Sequence, residues 1–169
     1  MAYTFHRIFC GAPLDVEAEH EAFYEVMGNC NEHEAMPNGV LLVSVSVTPT
    51  IASLASFQNA LDENIRACRH YVQVLGESWG AAGRNFEASF ELAAKCAADP
   101  AMPMREVALL WKAETGDRAV DPAVLQARQR SADWLRVLPY FGIDSFKEQL
   151  HGLLTRWVAE IPQTEREPS

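Results

Sequence analysis

The chain has 169 residues, the length of one ordinary domain, and 49% of them are hydrophobic, which is enough to build a substantial core. Its formal net charge is −9, from 23 acidic and 14 basic residues, which argues against nucleic acids and anionic membranes as partners. No stretch approaches the roughly 20 apolar residues that a bilayer span needs, and the N-terminus lacks the flanks of a signal peptide. These properties predict a soluble, cytoplasmic, single-domain protein.

The side chains that commonly bind metals or form disulfides show no suitable grouping. The four cysteines each lie in an apolar periodic segment without paired spacing, which predicts reduced core residues: Cys10, Cys30, Cys68 and Cys96. His20 lies among three glutamates, but helical geometry spreads these four side chains around the axis. No metal site is predicted.

The first third of the chain predicts a strand, a helix and a second strand. A strand over residues 4–10 ends at Gly11-Ala12-Pro13, because proline cannot continue a sheet ladder. Asp15 is the expected N-cap of a long amphipathic helix from Val16 to about Glu34. Pro37-Asn38-Gly39 breaks this helix, and residues 40–47 form the second strand.

The middle of the chain repeats this alternation. Helical spacing of apolar residues between Ile51 and Cys68 predicts a second helix, and the compact apolar run at residues 70–75 predicts a strand buried on both faces. Gly76 closes that strand. A third helix follows from Phe86 to about Ala97, and residues 105–111 predict a fourth strand.

The last third predicts two more helices and one strand. Asp121-Pro122 supplies an N-cap and a first-turn proline for a helix that runs to about Ala132. Residues 134–138 are the fifth strand. A strongly amphipathic final helix begins at Asp144 or Ser145 and ends before Pro162. The domain therefore covers residues 1–162, and residues 163–169 are expected to be a disordered tail.

Strands and helices thus alternate five times along the chain. This order predicts an α/β fold of the three-layer, flavodoxin-like type, with a five-stranded parallel sheet in the order 2-1-3-4-5 and helices on both faces. In such sheets, ligands bind beyond the carboxyl ends of the strands where the strand order reverses. The loops after the first and third strands should therefore meet and form any binding site.

The candidate site residues lie in these two loops and at the start of the following helix. The ligand-binding candidates are Gly11, Asp15, Gly76, Trp79, Gly80 and Arg84, and the catalytic candidate is Glu87. The glycines either let a ligand approach the backbone or only make a turn. Arg84 either binds a phosphate or lies in solvent. Glu87 either serves as a reactive carboxylate or complements the positive end of the helix dipole.

Three stretches carry a family resemblance: FCGAPLDVEAEHEAF, LDENIRACRHYVQVLGESWG and NFEASFELA. In this order they resemble a bacterial family of uncharacterised domains with a fold like that of the Toll/interleukin-1 receptor (TIR) domain. The matching residues are Asp15, Glu19, Cys68, Tyr71, Val72, Gly76, Gly80, Glu87 and Phe90. The chain departs from the family pattern at His20, Arg69, His70, Trp79 and Ser89.

The resemblance implies a TIR-like flavodoxin-type fold, distantly similar to nucleoside deoxyribosyltransferases. TIR-type NAD hydrolases and these transferases use a glutamate early in the helix after the central strand, a position that Glu87 resembles. A carboxylate there would stabilise or trap the oxocarbenium-like state of N-glycosidic cleavage. No G-x-S-x-G elbow, Walker A loop or complete G-x-G-x-x-G fingerprint occurs, which disfavours serine hydrolases, P-loop NTPases and dinucleotide dehydrogenases.

Three functional hypotheses follow. The leading one is a TIR-like signalling or ligand-binding module that binds a nucleotide-type ligand or a partner protein and forms a homo-oligomer. The alternative is an N-glycosidic hydrolase or transferase that acts on NAD or a nucleoside, with Glu87 as its essential carboxylate. The third is a structural adaptor without a pocket. No cofactor is predicted beyond NAD or a nucleotide as a ligand.

Overall fold

The computed structural model describes residues 2–45, 54–80, 86–113, 120–131 and 135–166. The strands are β1 (Thr4–Gly11), β2 (Val40–Val45), β3 (His70–Leu75), β4 (Glu106–Lys112) and β5 (Arg136–Tyr140). The helices are α1 (Glu17–Cys30), α2 (Leu54–Arg66), α3 (Phe86–Ala98), α4 (Pro122–Ser131) and α5 (Gly142–Glu160). The expected ends of the second strand, residues 46–47, and the start of the second helix, residues 51–53, lie outside the described ranges.

All five strands are parallel and form one sheet in the order β2-β1-β3-β4-β5. This confirms the predicted fold class and strand order. The starts of β1 and β3 are offset along the sheet. Ile8 is the first residue of β1 that pairs with β3, and it lies opposite His70, the first residue of β3. The first half of β1, up to Arg7, is therefore paired with β2 alone and projects beyond the start of β3.

The helices cover the two faces of the sheet and produce two hydrophobic cores. On one face α1 and α5 pack over the sheet, with Phe23, Phe146 and Trp157 among the buried side chains. On the other face α2, α3 and α4 contribute residues such as Ile65 and Phe90. Every residue of β3 is buried, as its compact apolar run predicts for a central strand, and the buried residues include the polar His70 and Gln73.

Several boundaries differ from the predicted ones. β5 begins and ends two residues later than expected and runs through Pro139, which an edge strand tolerates because its outer side needs no ladder donor. α5 begins at Gly142, ahead of the expected start, where Ser145 Oγ accepts a hydrogen bond from the Phe141 N–H at 3.1 Å. The predicted cap at Asp121 is confirmed, since Oδ1 accepts from the Ala123 N–H at 2.8 Å.

The four cysteines are free thiols, and three of them are buried, as predicted for core residues, while Cys10 is partly exposed. Burial raises the pKa of Cys30 to about 11 and that of Cys68 to about 12, so both remain neutral thiols near pH 7. Within the described ranges, none of the helices has the length and apolar character required to cross a bilayer. In the same ranges no cluster of three or more His, Cys, Asp or Glu side chains is arranged to hold a metal ion.

A polar cluster is enclosed beneath α5 at the amino-terminal edge of the sheet. His70 is 4% exposed and stacks on Trp157, with 4.1 Å between ring centroids and 14° between planes. Glu106 accepts hydrogen bonds from Trp157 Nε1, from Arg156 Nη2 at 2.5 Å and from Arg136 Nε at 2.8 Å. Burial alone would raise the pKa of Glu106, but these hydrogen bonds outweigh it and lower the pKa.

The chain continues beyond α5 in a defined turn. Residues Gln163–Glu165 form a single turn of 3-10 helix, in the segment where the sequence predicts a tail. Arg166 fixes this turn, because its Nε donates to the Ile161 carbonyl at 2.9 Å and its Nη1 donates to Asn38 Oδ1 at 3.0 Å. Residues 167–169 lie outside the described ranges.

Candidate functional site

The loops after β1 and β3 meet at the carboxyl-terminal edge of the sheet, where the strand order reverses. Asp15 Oδ2 accepts a hydrogen bond from the Glu77 N–H at 2.9 Å. The prediction that Asp15 is the N-cap of α1 is therefore wrong. Residue 16 occupies that position and makes no side-chain cap bond. A Cβ atom on Gly76 would lie 2.6 Å from Asp15 Oδ2, so glycine is required for this close approach.

Gly11 is packed against a buried polar pair on β3. The Tyr71 hydroxyl donates to Gln73 Oε1 at 2.8 Å, and Gln73 Nε2 donates to the Gly11 carbonyl at 3.0 Å. A Cβ atom on Gly11 would lie 2.6 Å from Gln73 Oε1 and 2.7 Å from the Tyr71 hydroxyl. Burial raises the pKa of Tyr71 well above its ordinary value, so the hydroxyl keeps its proton. Gly11 therefore has a packing role between the two strands.

Trp79 and Gly80 shape the loop after β3. The Trp79 side chain is 8% exposed and lies against Phe90 of α3, with 5.6 Å between ring centroids. Its Nε1 is buried and has no hydrogen-bond partner among the described residues. Gly80 has φ +93°, a left-handed conformation that favours glycine, and its N–H donates to Ser78 Oγ at 3.1 Å. Gly80 therefore allows the backbone to adopt the conformation that this turn requires.

Glu87 lies in the first turn of α3, as predicted, and its side chain is partly exposed. Within the described part of the chain, its carboxylate makes no hydrogen bond or ion pair. The Glu87 carboxylate and the Trp79 indole Nε1 are thus the side-chain polar groups of the described candidates that make no hydrogen bond, and of these two residues Glu87 is the one that is partly exposed. Arg84, the remaining candidate, lies outside the described residues, together with the rest of residues 81–85.

A partly buried ion pair that is not among the predicted site residues lies beneath the same edge. Glu19 of α1 is 3% exposed and accepts a hydrogen bond from the Tyr140 hydroxyl at 3.0 Å. The Lys112 Nζ lies 3.2 Å from the same carboxylate oxygen. A signal was present, because Glu19 precedes Phe23 by one helical turn and so lies on the buried face of α1. This cluster ties α1 to the carboxyl ends of β4 and β5.

Three features therefore meet at this edge. Asp15 holds the two loops together, α3 begins beside them, and Glu87 places a carboxylate in the first turn of α3. Helix N-termini carry unpaired N–H groups and a partial positive charge, which suits the binding of an anionic group. A neighbouring carboxylate can accept hydrogen bonds from hydroxyl groups or stabilise a developing cation. Comparison with protein-family models and with curated proteins finds no match for the chain.

Proposed function

We propose that the protein is a cytoplasmic TIR-like signalling module that binds a nucleotide-type ligand at the carboxyl-terminal edge of its sheet. The observation that carries this proposal is the hydrogen bond from the Glu77 N–H to Asp15. It joins the loops after β1 and β3 beside the start of α3. Loops joined at a topological switch point are the usual ligand site of such sheets.

The chemistry of this edge suits the two polar parts of a nucleotide. A phosphate is favoured at the N-terminus of α3, because the helix dipole attracts negative charge there. Glu87 is partly exposed in the first turn of α3, and a carboxylate in this setting accepts hydrogen bonds from ribose hydroxyls. The first test is a thermal-shift screen with nucleotides, NAD and nucleosides. A ligand at about 100 times its Kd raises the free energy of unfolding by about 2.7 kcal/mol.

Replacement of Gly80 tests the location of the ligand. A side chain at this position would approach Pro13 and Phe86 and narrow the space between the two loops, since a Cβ atom already lies 3.3 Å from Pro13 Cβ. We expect Gly80→Val to weaken a ligand found in the screen by about tenfold or more, because one unfavourable contact of 1.4 kcal/mol has this effect. Isothermal titration calorimetry measures the change.

Gly142→Val is the matched control. Gly142 also has a left-handed φ of +79°, so valine strains the backbone there as it does at Gly80, but nothing lies within 4 Å of its Cβ position. Gly142→Val should bind the ligand as the parent protein does. Equal weakening by both variants, or a ligand whose amide shifts map to the opposite edge of the sheet, would contradict the proposed location.

An N-glycosidic hydrolase or transferase is the second candidate function. The observation that favours it is the Glu87 carboxylate, which is partly exposed at the switch point and makes no ion pair within the described residues. We expect Glu87→Gln to reduce the turnover of NAD or a nucleoside by at least about a hundredfold with little loss of binding, because it removes a carboxylate needed in the transition state. Product release followed by chromatography measures the turnover.

Glu91→Gln is the control for this experiment. Glu91 lies on α3 one turn after Glu87 and is exposed, so its replacement removes the same charge from the same helix without changing the site. Turnover that survives in Glu87→Gln, or that falls equally in both variants, would reject the catalytic role of Glu87. Complete absence of turnover in the parent protein would favour the binding module.

Two exposed apolar side chains favour a partner protein as a second type of ligand. Phe141 is 67% exposed and Ile143 is 38% exposed, and both follow β5 at the same edge of the sheet as the candidate site. Exposed apolar residues in one place are typical of contact surfaces. A signalling module of this kind would present its ligand site and its protein contact on one side of the molecule.

A further inference from the structure

A second concave site lies at the amino-terminal edge of the sheet, opposite the candidate site. We call it the arginine notch, a cleft of about 680 Å³ whose lining includes Phe5, His6, Arg7, Arg69, Arg105 and Glu165. Its origin is the offset between neighbouring strands, because the first half of β1 projects beyond the start of β3. The turns that enter β3 and β4, and the final 3-10 turn, complete the walls.

Backbone hydrogen bonds set the three arginines side by side. The Arg69 N–H donates to the Arg7 carbonyl at 2.9 Å, and the Arg105 N–H donates to the Arg69 carbonyl at 2.7 Å. Arg7 lies in β1, and Arg69 and Arg105 directly precede β3 and β4. The three residues therefore lie in a row across the sheet. Positive charge is concentrated here although the chain has a formal net charge of −9.

The lining supplies too little negative charge for these arginines. Arg69 Nη1 pairs with Glu165 Oε2 at 2.5 Å, and the Arg69 side chain is 17% exposed. Arg105 donates to the Met102 carbonyl at 3.1 Å and is otherwise exposed, as Arg7 is. Among the lining residues, Glu165 is the single carboxylate for three guanidinium groups. Adjacent positive charges repel each other, and an anion bound between them offsets this repulsion.

Buried polar nitrogens without partners also occur on residues that line the notch. His6 is 4% exposed, and its Nε2 has no hydrogen-bond partner among the described residues. The Nε of Arg69 is likewise buried without a partner in that part of the chain. Buried polar groups without partners are uncommon in folded proteins, because each costs about 1–3 kcal/mol, and an absent water or ion is one explanation for them.

We propose that the arginine notch binds a small anionic ligand through a phosphate or carboxylate group, and that Glu165 occupies the ligand's place on Arg69 in the free protein. The planar guanidinium group binds either anion through paired N–H donors, which makes it the preferred side chain for such groups. Phe5, which is 66% exposed, offers an aromatic face to the rest of the ligand. This site goes beyond the proposed function at the opposite edge.

Glu165 can act as an internal substitute because its turn is held independently of the notch. Arg166 ties the turn to the end of α5 and to Asn38, so Glu165 remains near Arg69 even if its own ion pair is broken. A ligand anion would displace the Glu165 side chain without releasing the turn. Removal of the Glu165 charge should therefore strengthen binding of an anion, since the competing carboxylate is lost.

Calorimetric titration of the full chain with inorganic pyrophosphate and with citrate tests the proposal. We expect Arg69→Gln and Arg105→Gln each to weaken binding by about tenfold or more, because each removes a charge-assisted contact. Glu165→Gln should tighten binding. Arg66→Gln is the matched control, because Arg66 is an exposed arginine at the end of α2 that does not line the notch. Arg66→Gln should bind each anion with the same affinity as the parent protein.

Binding of pyrophosphate alone would assign a phosphate group to the ligand, and binding of citrate alone would assign carboxylates. The proposal fails if neither anion binds, or if Arg66→Gln weakens binding as much as Arg105→Gln. Arg105 is exposed, so its variant remains informative if Arg69→Gln does not fold. Amide shifts at residues 69 and 105 assign the anion to the notch, whereas shifts at residues 76–80 assign it to the proposed nucleotide site. Each proposal can thus fail without the other.

Discussion

A chain that ends at Ser145 will not form a soluble, folded protein. α5 supplies six side chains to one hydrophobic core, and each is no more than 3% exposed: Phe146, Leu150, Leu153, Leu154, Trp157 and Val158. Truncation of one large buried side chain to alanine costs about 3–5 kcal/mol, and the whole stability of a domain is about 5–15 kcal/mol. Loss of all six therefore exceeds the stability available. Soluble expression and urea denaturation measure the outcome.

Single substitutions at aromatic residues give a graded version of this test. Trp157→Ala should lower the free energy of unfolding by about 3 kcal/mol or more, because the ring is 1% exposed and stacks on His70. Phe141→Ala is the control, since this ring is 67% exposed and its removal should change stability by about 0.5 kcal/mol or less. A truncated chain that is soluble and unfolds cooperatively would refute the role given to α5.

The protein should lose stability as the pH falls from about 6.5 towards 3, chiefly because of His70. The pKa of His70 is lowered from 6.5 to about 3, chiefly by burial and then by the charges of Arg69, His6 and Arg156, while Glu106 opposes the shift. The unfolded chain therefore binds a proton in this range that the folded protein does not. Stability is full above pH 6.5 and falls by about 1.4 kcal/mol for each pH unit below it.

Urea denaturation at pH 6.5 and 4.5 measures this effect, which should be on the order of 3 kcal/mol. The control is His70→Phe, which keeps a flat ring against Trp157 but cannot bind a proton. The decrease in the free energy of unfolding between these pH values should be less than half as large in this variant as in the parent. His6 is the main source of the remaining decrease, because burial also lowers its pKa. Equal losses in parent and variant would contradict the assignment to His70.

The elements that the sequence predicted best are those whose pattern reflects burial alone. The predicted bounds of β3 match the observed ones, because Tyr71, Val72, Val74 and Leu75 form a compact apolar run that Gly76 follows directly. The start of α3 at Phe86 was also correct, since apolar residues resume helical spacing there. β5 lies at Arg136–Tyr140, two residues later than predicted, and it includes Pro139, which an edge strand accepts.

The side-chain roles were harder to predict, because they depend on residues distant in sequence. Asp15 has the residue type and position of an N-cap, and only the folded sheet shows that Glu77, 62 positions later, provides its donor. The partner of Glu19 lies 121 positions away on β5. The arginine notch arises from the offset of β1 against β3, which depends on the pairing of residues that are distant in sequence.

Pro139 has a consequence for contact between copies of the protein. β5 is an outer strand of the sheet, and outer strands of folded proteins are templates on which another chain can add by backbone pairing. A proline within β5 lacks the N–H that an added strand would need, and Arg136 places a charge at the beginning of the same strand. This side of the sheet is therefore protected against the addition of another strand, so self-association at β5 would have to proceed through side chains and not through backbone pairing.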